Sequence, residues 1–231
     1  MPEITLYLSN GACSQVPHIF LRHLGLPFKL FQMAIGAHGM EAADGSLSNA
    51  EYRKINPAGY VPVLVIDGEV VTEQFAIISA IAQLAPEKVA TDGLLGRDAP
   101  LLLLEKVRVT EWMIYLSDTT HSAGFGAFLH PERYVEGHEE MYDVVKAKGR
   151  KTFEGSYELI DKRMRDRTYV IGEHLTVVDL FVYVLWSWGQ RLAGIDMKAK
   201  YPAYGKLVQR VESLESVRAA VLKEEQLLHF A

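Results

Sequence analysis

The stretch Val61-Pro62-Val63-Leu64-Val65-Ile66-Asp67-Gly68-Glu69-Val70-Val71 constrains the fold more than any other part of the chain. Two apolar, β-branched runs flank Asp67-Gly68, a dipeptide that suits the positive φ of a tight turn, so the segment predicts a β-hairpin. Pro62 heads the first strand. Proline donates no ladder hydrogen bond, so this strand opens either at an edge or where an extended ligand pairs with the backbone of Val61. The hairpin leads into Thr72-Glu73-Gln74 and an apolar run from Phe75 to Leu84 with helical character. That order places Thr72 near the N-cap and Glu73 in the first turn of a helix.

The free N–H groups of a helix start suit a carboxylate, and an acidic side chain beside them suits an ammonium. Together they would recognise an amino-acid head group. Glu73 is equally explained as a favourable first-turn acid. Context comes from the N-terminus, where Ile4-Thr5-Leu6-Tyr7-Leu8 reads as a strand, followed by Ser9-Asn10-Gly11-Ala12-Cys13-Ser14 and a helix running toward Leu24. Cys13 is the one cysteine of the chain. At a helix start its pKa is expected to fall below the free value of about 8.5, with Ser14 as the neighbouring hydroxyl alternative. The competing reading of Cys13 is a small buried hydrophobe.

Strand, cysteine turn, helix, then proline-headed hairpin and helix is a thioredoxin-like order. At these positions the chain resembles the glutathione transferase family. Val61-Pro62 stands where that family has a cis-proline, and Glu73-Gln74 where it has its glutathione-anchoring pair. Gly11-Ala12-Cys13-Ser14 with Pro17-His18-Ile19 looks most like the bacterial beta class. One departure is Gln74, where the family commonly has Ser or Thr.

The resemblance implies that Glu73 and Gln74 grip the γ-glutamyl end of glutathione. The backbone at Tyr60, Val61 and Pro62 pairs with its cysteinyl unit, and Cys13 or Ser14 faces the sulfur. It also singles out His121, because a histidine at that position reaches the active site in beta-class relatives; Ser122 replaces a basic neighbour found in some of them. From the residues alone, His121 is as well read as a helix-face histidine. Trp112, Tyr115, Phe125, Phe128 and the C-terminal Phe230 would form an apolar site for a hydrophobic electrophile, though each also suits a core. Tyr7 and the aromatic stripe Phe181, Tyr183, Trp186 and Trp188 read as packing.

With 231 residues, nearly half of them hydrophobic, the chain can bury a substantial core. Its net charge of -5 argues against a general nucleic-acid binder, and the basic run Lys146 to Lys151 reads as a solvated helix face. One cysteine makes no internal disulfide, and the histidines lack metal-ligand spacing, so no metal and no resident cofactor are expected beside glutathione as co-substrate. Gly124-Phe125-Gly126 lacks the third glycine and the context of a dinucleotide site. No leader precedes the first strand, and the apolar stretch Pro100 to Leu104 is soon broken by Glu105 and Lys106; a soluble cytoplasmic protein without membrane contact is expected.

The expected fold is an α/β, thioredoxin-like N-terminal domain with a mixed four-stranded sheet over residues 1–86, a linker over 87–98, and an all-α domain over 99–231 that contributes the electrophile site. Gly36 to Asn49 reads as a long loop. Ala99 to about Phe128 and Glu139 to about Arg165 read as long helices, the first ended by His130-Pro131. Thr176-Val177-Val178-Asp179 reads as a capping box, flanked by a staple of Leu175 and Leu180. The leading function is conjugation of glutathione to hydrophobic electrophiles by a homodimer. The alternatives are a glutathione-dependent thiol-disulfide oxidoreductase using Cys13 and a non-catalytic interaction module.

Overall fold

The structure, a computed structural model, describes residues 2–97 and 103–230. Two compact units divide the chain, the first formed by Met1–Asp92 together with Gln209–Ala231, the second by Gly93–Val208. The break between Asp92 and Gly93 falls within the expected linker 87–98, while the segment Gln209–Ala231 groups with the N-terminal part and not with the helical one. The expected helix start at Ala99 and most of the apolar stretch 100–104 lie outside the described residues.

In the first unit, β1 (Ile4–Leu8), α1 (Gln15–Leu24), β2 (Lys29–Gly36), β3 (Gly39–Ala42), α2 (Asn49–Ile55), β4 (Val63–Ile66), β5 (Glu69–Val71), α3 (Gln74–Leu84) and α4 (Pro86–Asp92) follow in chain order. The strands form one sheet in the order β3-β2-β1-β4-β5. β1 and β2 are parallel, with Thr5 opposite Lys29 and Leu8 opposite Gln32, while the remaining pairs are antiparallel. The sheet therefore has five strands rather than the expected four. The additional one, β3, lies inside the segment read as a loop.

A linker was also expected where α4 forms. Pro86 is its first residue, a position where the fixed φ of proline is suitable and the missing N–H has no intrahelical partner to lose. The hairpin forms as its turn chemistry predicts: Ile66 pairs with Glu69 across Asp67 (φ 48°) and Gly68 (φ 88°). Leu6, Leu8, Val16, Ile19, Phe20, Val63, Leu64, Ile77, Ile78 and Ile81 are fully buried and join sheet to helices. Tyr7 stacks on Phe31 with ring centres 4.5 Å apart.

The second unit is helical: α5 (Leu103–Tyr115), a π-helical stretch Leu116–Gly126, α6 (Ala127–Leu129), α7 (Tyr142–Met164), α8 (Val177–Arg191), α9 (Met197–Lys200) and α10 (Pro202–Glu212), the last running into the segment that rejoins the first unit. α11 (Glu215–Lys223) packs against α1 inside the first unit. α6 stops at His130, before Pro131. The π stretch crosses α7 closely. A Cβ on Gly149 would lie 2.6 Å from the Gly124 carbonyl, and one on Gly124 would lie 3.0 Å from the Phe153 Cβ. These glycines serve helix contact.

α8 is buried along most of its length, including Phe181, Tyr183, Leu185, Trp186 and Trp188, so the aromatic stripe is core. Its start is tied by Asp179. One carboxylate oxygen accepts the Thr176 N–H (2.7 Å) and hydroxyl (2.9 Å), and the other accepts the Val170 N–H (2.9 Å). Among the described residues no helix is long and apolar enough to cross a membrane.

Candidate active site

The backbone strip before β4 is built by α2. Ser48 caps that helix, with Glu51 accepting the Ser48 N–H (3.0 Å) and hydroxyl (2.6 Å). From its far end the Tyr52 hydroxyl (2.7 Å) and the Asn56 amide (2.8 Å) both donate to the carbonyl of Tyr60. Arg53 donates to the Pro57 carbonyl (2.9 Å), and the Asn56 side-chain oxygen accepts the Ala58 N–H (3.1 Å). The loop is thereby fastened at both ends, and it delivers Val61-Pro62 with a cis peptide bond. The Tyr60 ring is exposed, Val61 is half-buried and Pro62 is buried.

The cysteine turn faces this strip. The Cys13 thiol donates to the Val61 carbonyl across 3.4 Å. Ser14, fully buried, uses its hydroxyl within the turn, accepting the Ser9 N–H (3.1 Å) and donating to the Ser9 carbonyl (3.2 Å). Its hydroxyl is a structural tie. Burial pushes the Cys13 thiol up to about 12; the N–H groups of Cys13 and Ser14 oppose this and lose, and the Glu224 and Glu73 charges add to the rise. The expected downward shift is thus overturned. A helix start favours an anion by a fraction of a charge, whereas removal from water penalises a thiolate more strongly.

At the opening of α3, Glu73 rather than Thr72 occupies the N-cap. Its φ of 65° is the left-handed region, which for a residue with a side chain costs of order 1–3 kcal/mol and points to a constraint other than helix capping. The Glu73 side chain is exposed. Gln74 is the first residue of the helix, is 8% exposed, and has both amide atoms buried with no hydrogen-bond partner among the described residues. An orphaned buried amide is rare and calls for an explanation beyond the fold.

The remaining sequence candidates lie in the helical unit. His121 sits in the π stretch, its ring 5.0 Å from that of Trp188, and burial lowers its pKa to about 4 with a smaller contribution from Arg133. It is neutral at physiological pH. Phe125 is stacked on Phe153 at 4.2 Å, and Trp112 is buried with the Arg163 guanidinium 5.2 Å from its ring centre; both are core residues of this unit. Tyr115, half-buried, shares a 3.0 Å hydrogen bond with Ser156, and Phe128, also half-buried, meets Phe153 edge-on at 5.5 Å. Phe230 belongs to the first unit, where its N–H donates to Glu212 (2.6 Å).

Two models of one family match this chain, the "Glutathione S-transferase, N-terminal domain" over residues 11–84 and the "Glutathione S-transferase, C-terminal domain" over residues 116–215. The chain belongs to the glutathione transferase family. Glutathione S-transferase GST-4.5 of Xanthomonas campestris pv. campestris is 28% identical over 95% of this chain and 98% of its own length. The bacterial beta class glutathione S-transferase of Sphingomonas chungbukensis superposes with a TM-score of 0.79 at 29% identity, covering 96% of this chain and 100% of that one. A sphingomonad glutathione S-transferase solved in complex with glutathione matches with a TM-score of 0.76 at 28% identity, covering 96% and 100%.

In this glutathione transferase, sequence reasoning missed several supports of the site: Tyr52 and Asn56 behind the Tyr60 carbonyl, and Glu224, a fully buried carboxylate bonded to the Gly11 N–H at 2.8 Å. Asn56 opens an Asn-Pro-Ala-Gly loop, a signal for a side chain that ties its own turn. Glu224 gives no such signal. Among the described residues of the transferase, no three His, Cys, Asp or Glu side chains converge to hold a metal ion.

Proposed function

We propose that the chain binds reduced glutathione along the Val61 strip and conjugates it to hydrophobic electrophiles, acting as a cytoplasmic homodimer. The observation that carries this reading is the Cys13 thiol lying 3.4 Å from the Val61 carbonyl, which puts the single thiol of the chain on the backbone a cysteinyl peptide would pair with. Gln74 and Glu73 support it. An extended peptide paired at Val61 would bring its γ-glutamyl end toward the start of α3, where the orphaned amide would bond its carboxylate and Glu73 its ammonium.

The state of Cys13 favours conjugation over disulfide exchange. A thiol held at about 12 is a poor nucleophile at neutral pH and a competent hydrogen-bond donor. Its S–H would turn from the Val61 carbonyl to the glutathione sulfur and lower the pKa of that sulfur. Glutathione then releases its proton to water, its sulfur forms the bond to the electrophilic carbon, and the leaving group departs with the electron pair of the broken bond. His121 is neutral, so any part it takes would use an N–H or a lone pair and not a positive charge. Tyr115 and Phe128 keep exposed surface and are the candidates for contact with the electrophile, while Trp112 and Phe125 are assigned to the core.

Calorimetry with glutathione and turnover of an activated aryl chloride test the reading. Binding and turnover are expected in the wild type. Cys13→Ala should keep turnover, reduced about tenfold by the lost donor. Absence of heat and of turnover at millimolar glutathione in the wild type would refute it, and loss of all glutathione chemistry in Cys13→Ala, with disulfide reduction by the wild type, would favour the oxidoreductase.

A further inference from the structure

Behind the Cys13 turn, polar side chains from opposite ends of the chain meet. Glu224, the residue after α11, has no exposed surface. Its Oε2 accepts the Gly11 N–H (2.8 Å) and the Gln15 side-chain amide (3.1 Å), and its Oε1 faces His18 Nδ1 at 2.7 Å. His18 is also fully buried, and its Nε2 accepts the Arg22 Nε–H at 2.8 Å. Arginine Nε only donates. The accepting nitrogen of His18 is therefore Nε2, and Nδ1 carries the hydrogen that Glu224 takes.

This chain of bonds has a single polarity. Arg22 sets the tautomer of His18, the tautomer presents a donor to Glu224, and Gly11 and Gln15 present two more. Gly11 has φ 65° and stands two residues before Cys13, so the direction of its N–H sets the course of the turn. On the other side of Cys13, Ser14 is tied to Ser9. The thiol lies between these two anchors.

We infer that Glu224 is a positioning residue for Cys13, its carboxylate oriented by Arg22 through His18 and holding the turn that aims the thiol at Val61. The role rests on the use of Cys13 proposed above. It requires a carboxylate at position 224, because every neighbour on both oxygens is a donor. An amide there satisfies Gly11 or His18 and not both, and an imidazole flipped to compensate would aim its Nε2–H at the Arg22 Nε–H.

The test is the rate at which iodoacetamide alkylates Cys13 in the folded protein, with circular dichroism reporting the fold. A buried thiol reacts through local opening, so Glu224→Gln should speed alkylation about tenfold. Arg22→Met added to Glu224→Gln frees His18 to accept from the new amide and should bring the rate back to within about threefold of wild type. A folded Glu224→Gln variant that reacts at the wild-type rate overturns the inference, and so does a double variant that reacts as fast as the single one. If Glu224→Gln does not fold, the double variant decides: folded with near-wild-type alkylation supports the role, and unfolded or fast-reacting refutes it. A wild type that binds no glutathione would remove the proposed function and leave these rates standing.

Discussion

At the scale of single residues, burial outweighs local dipoles. Cys13 is expected to show no thiolate absorbance in the folded protein at pH 9, and to show it there once denatured. The folded pKa, about 12, lies above the ordinary 9.0, so the thiol contributes stability that is fully present below pH 9 and is lost as pH rises toward 12. Thiolate absorbance from native protein at neutral pH would contradict this. Gln74 yields a pair of opposite signs. Gln74→Met removes an orphaned amide of similar shape, so the free protein should gain about 1–3 kcal/mol in urea unfolding, while glutathione affinity should fall about tenfold. A variant that loses both, or keeps affinity, would separate Gln74 from the ligand. The places of Cys13 in the turn before α1 and of Glu73-Gln74 at the opening of α3 were legible, because residue type and order carry them. The thiol's protonation state was not, since it depends on how much of the chain covers it.

At the scale of elements, legibility followed backbone chemistry. Asp67-Gly68 announces its turn because both residues adopt positive φ. Gly39-Met40-Glu41-Ala42 has no β-branched residue and is only four residues long, so β3 exists through its pairing with β2, Met33 opposite Ala42 and Ile35 opposite Met40, and not through intrinsic preference. Thr176 and Asp179 were readable as a box, yet the third bond, to the Val170 N–H, spans nine positions and had no signature. Asp179→Asn replaces an acceptor oxygen with a donor facing either Thr176 or Val170. We expect it to destabilise the protein by about 1–3 kcal/mol in urea unfolding, with no change in Cys13 alkylation. A change in alkylation would mean that the α8 start and the cysteine turn are coupled.

At the scale of the whole molecule, the thiol-bearing unit is assembled from both ends of the sequence. Glu224 lies 213 positions from the Gly11 N–H it accepts, and Lys223-Glu224-Glu225 reads as a solvated charged segment, which is why this contact was invisible in the sequence. The contact is not isolated. Val217, Ala220 and Val221 of α11 are buried, α11 packs on α1, and the His229 and Phe230 N–H groups close the tail onto Glu212 at 2.7 and 2.6 Å. A chain cut after Leu214 loses the apolar cover of α1 and leaves Gly11 and His18 without their acceptor, a loss of several kcal/mol against a typical domain stability of about 5–15 kcal/mol. Its melting temperature should fall by about 10 °C or more, and Cys13 should become reactive at neutral pH. Supplying residues 215–231 as a separate peptide should restore part of both. The three tryptophans of the chain, Trp112, Trp186 and Trp188, all belong to the helical unit, so tryptophan emission should stay native-like in the cut chain. Emission that shifts together with Cys13 reactivity would show instead that the two units unfold as one.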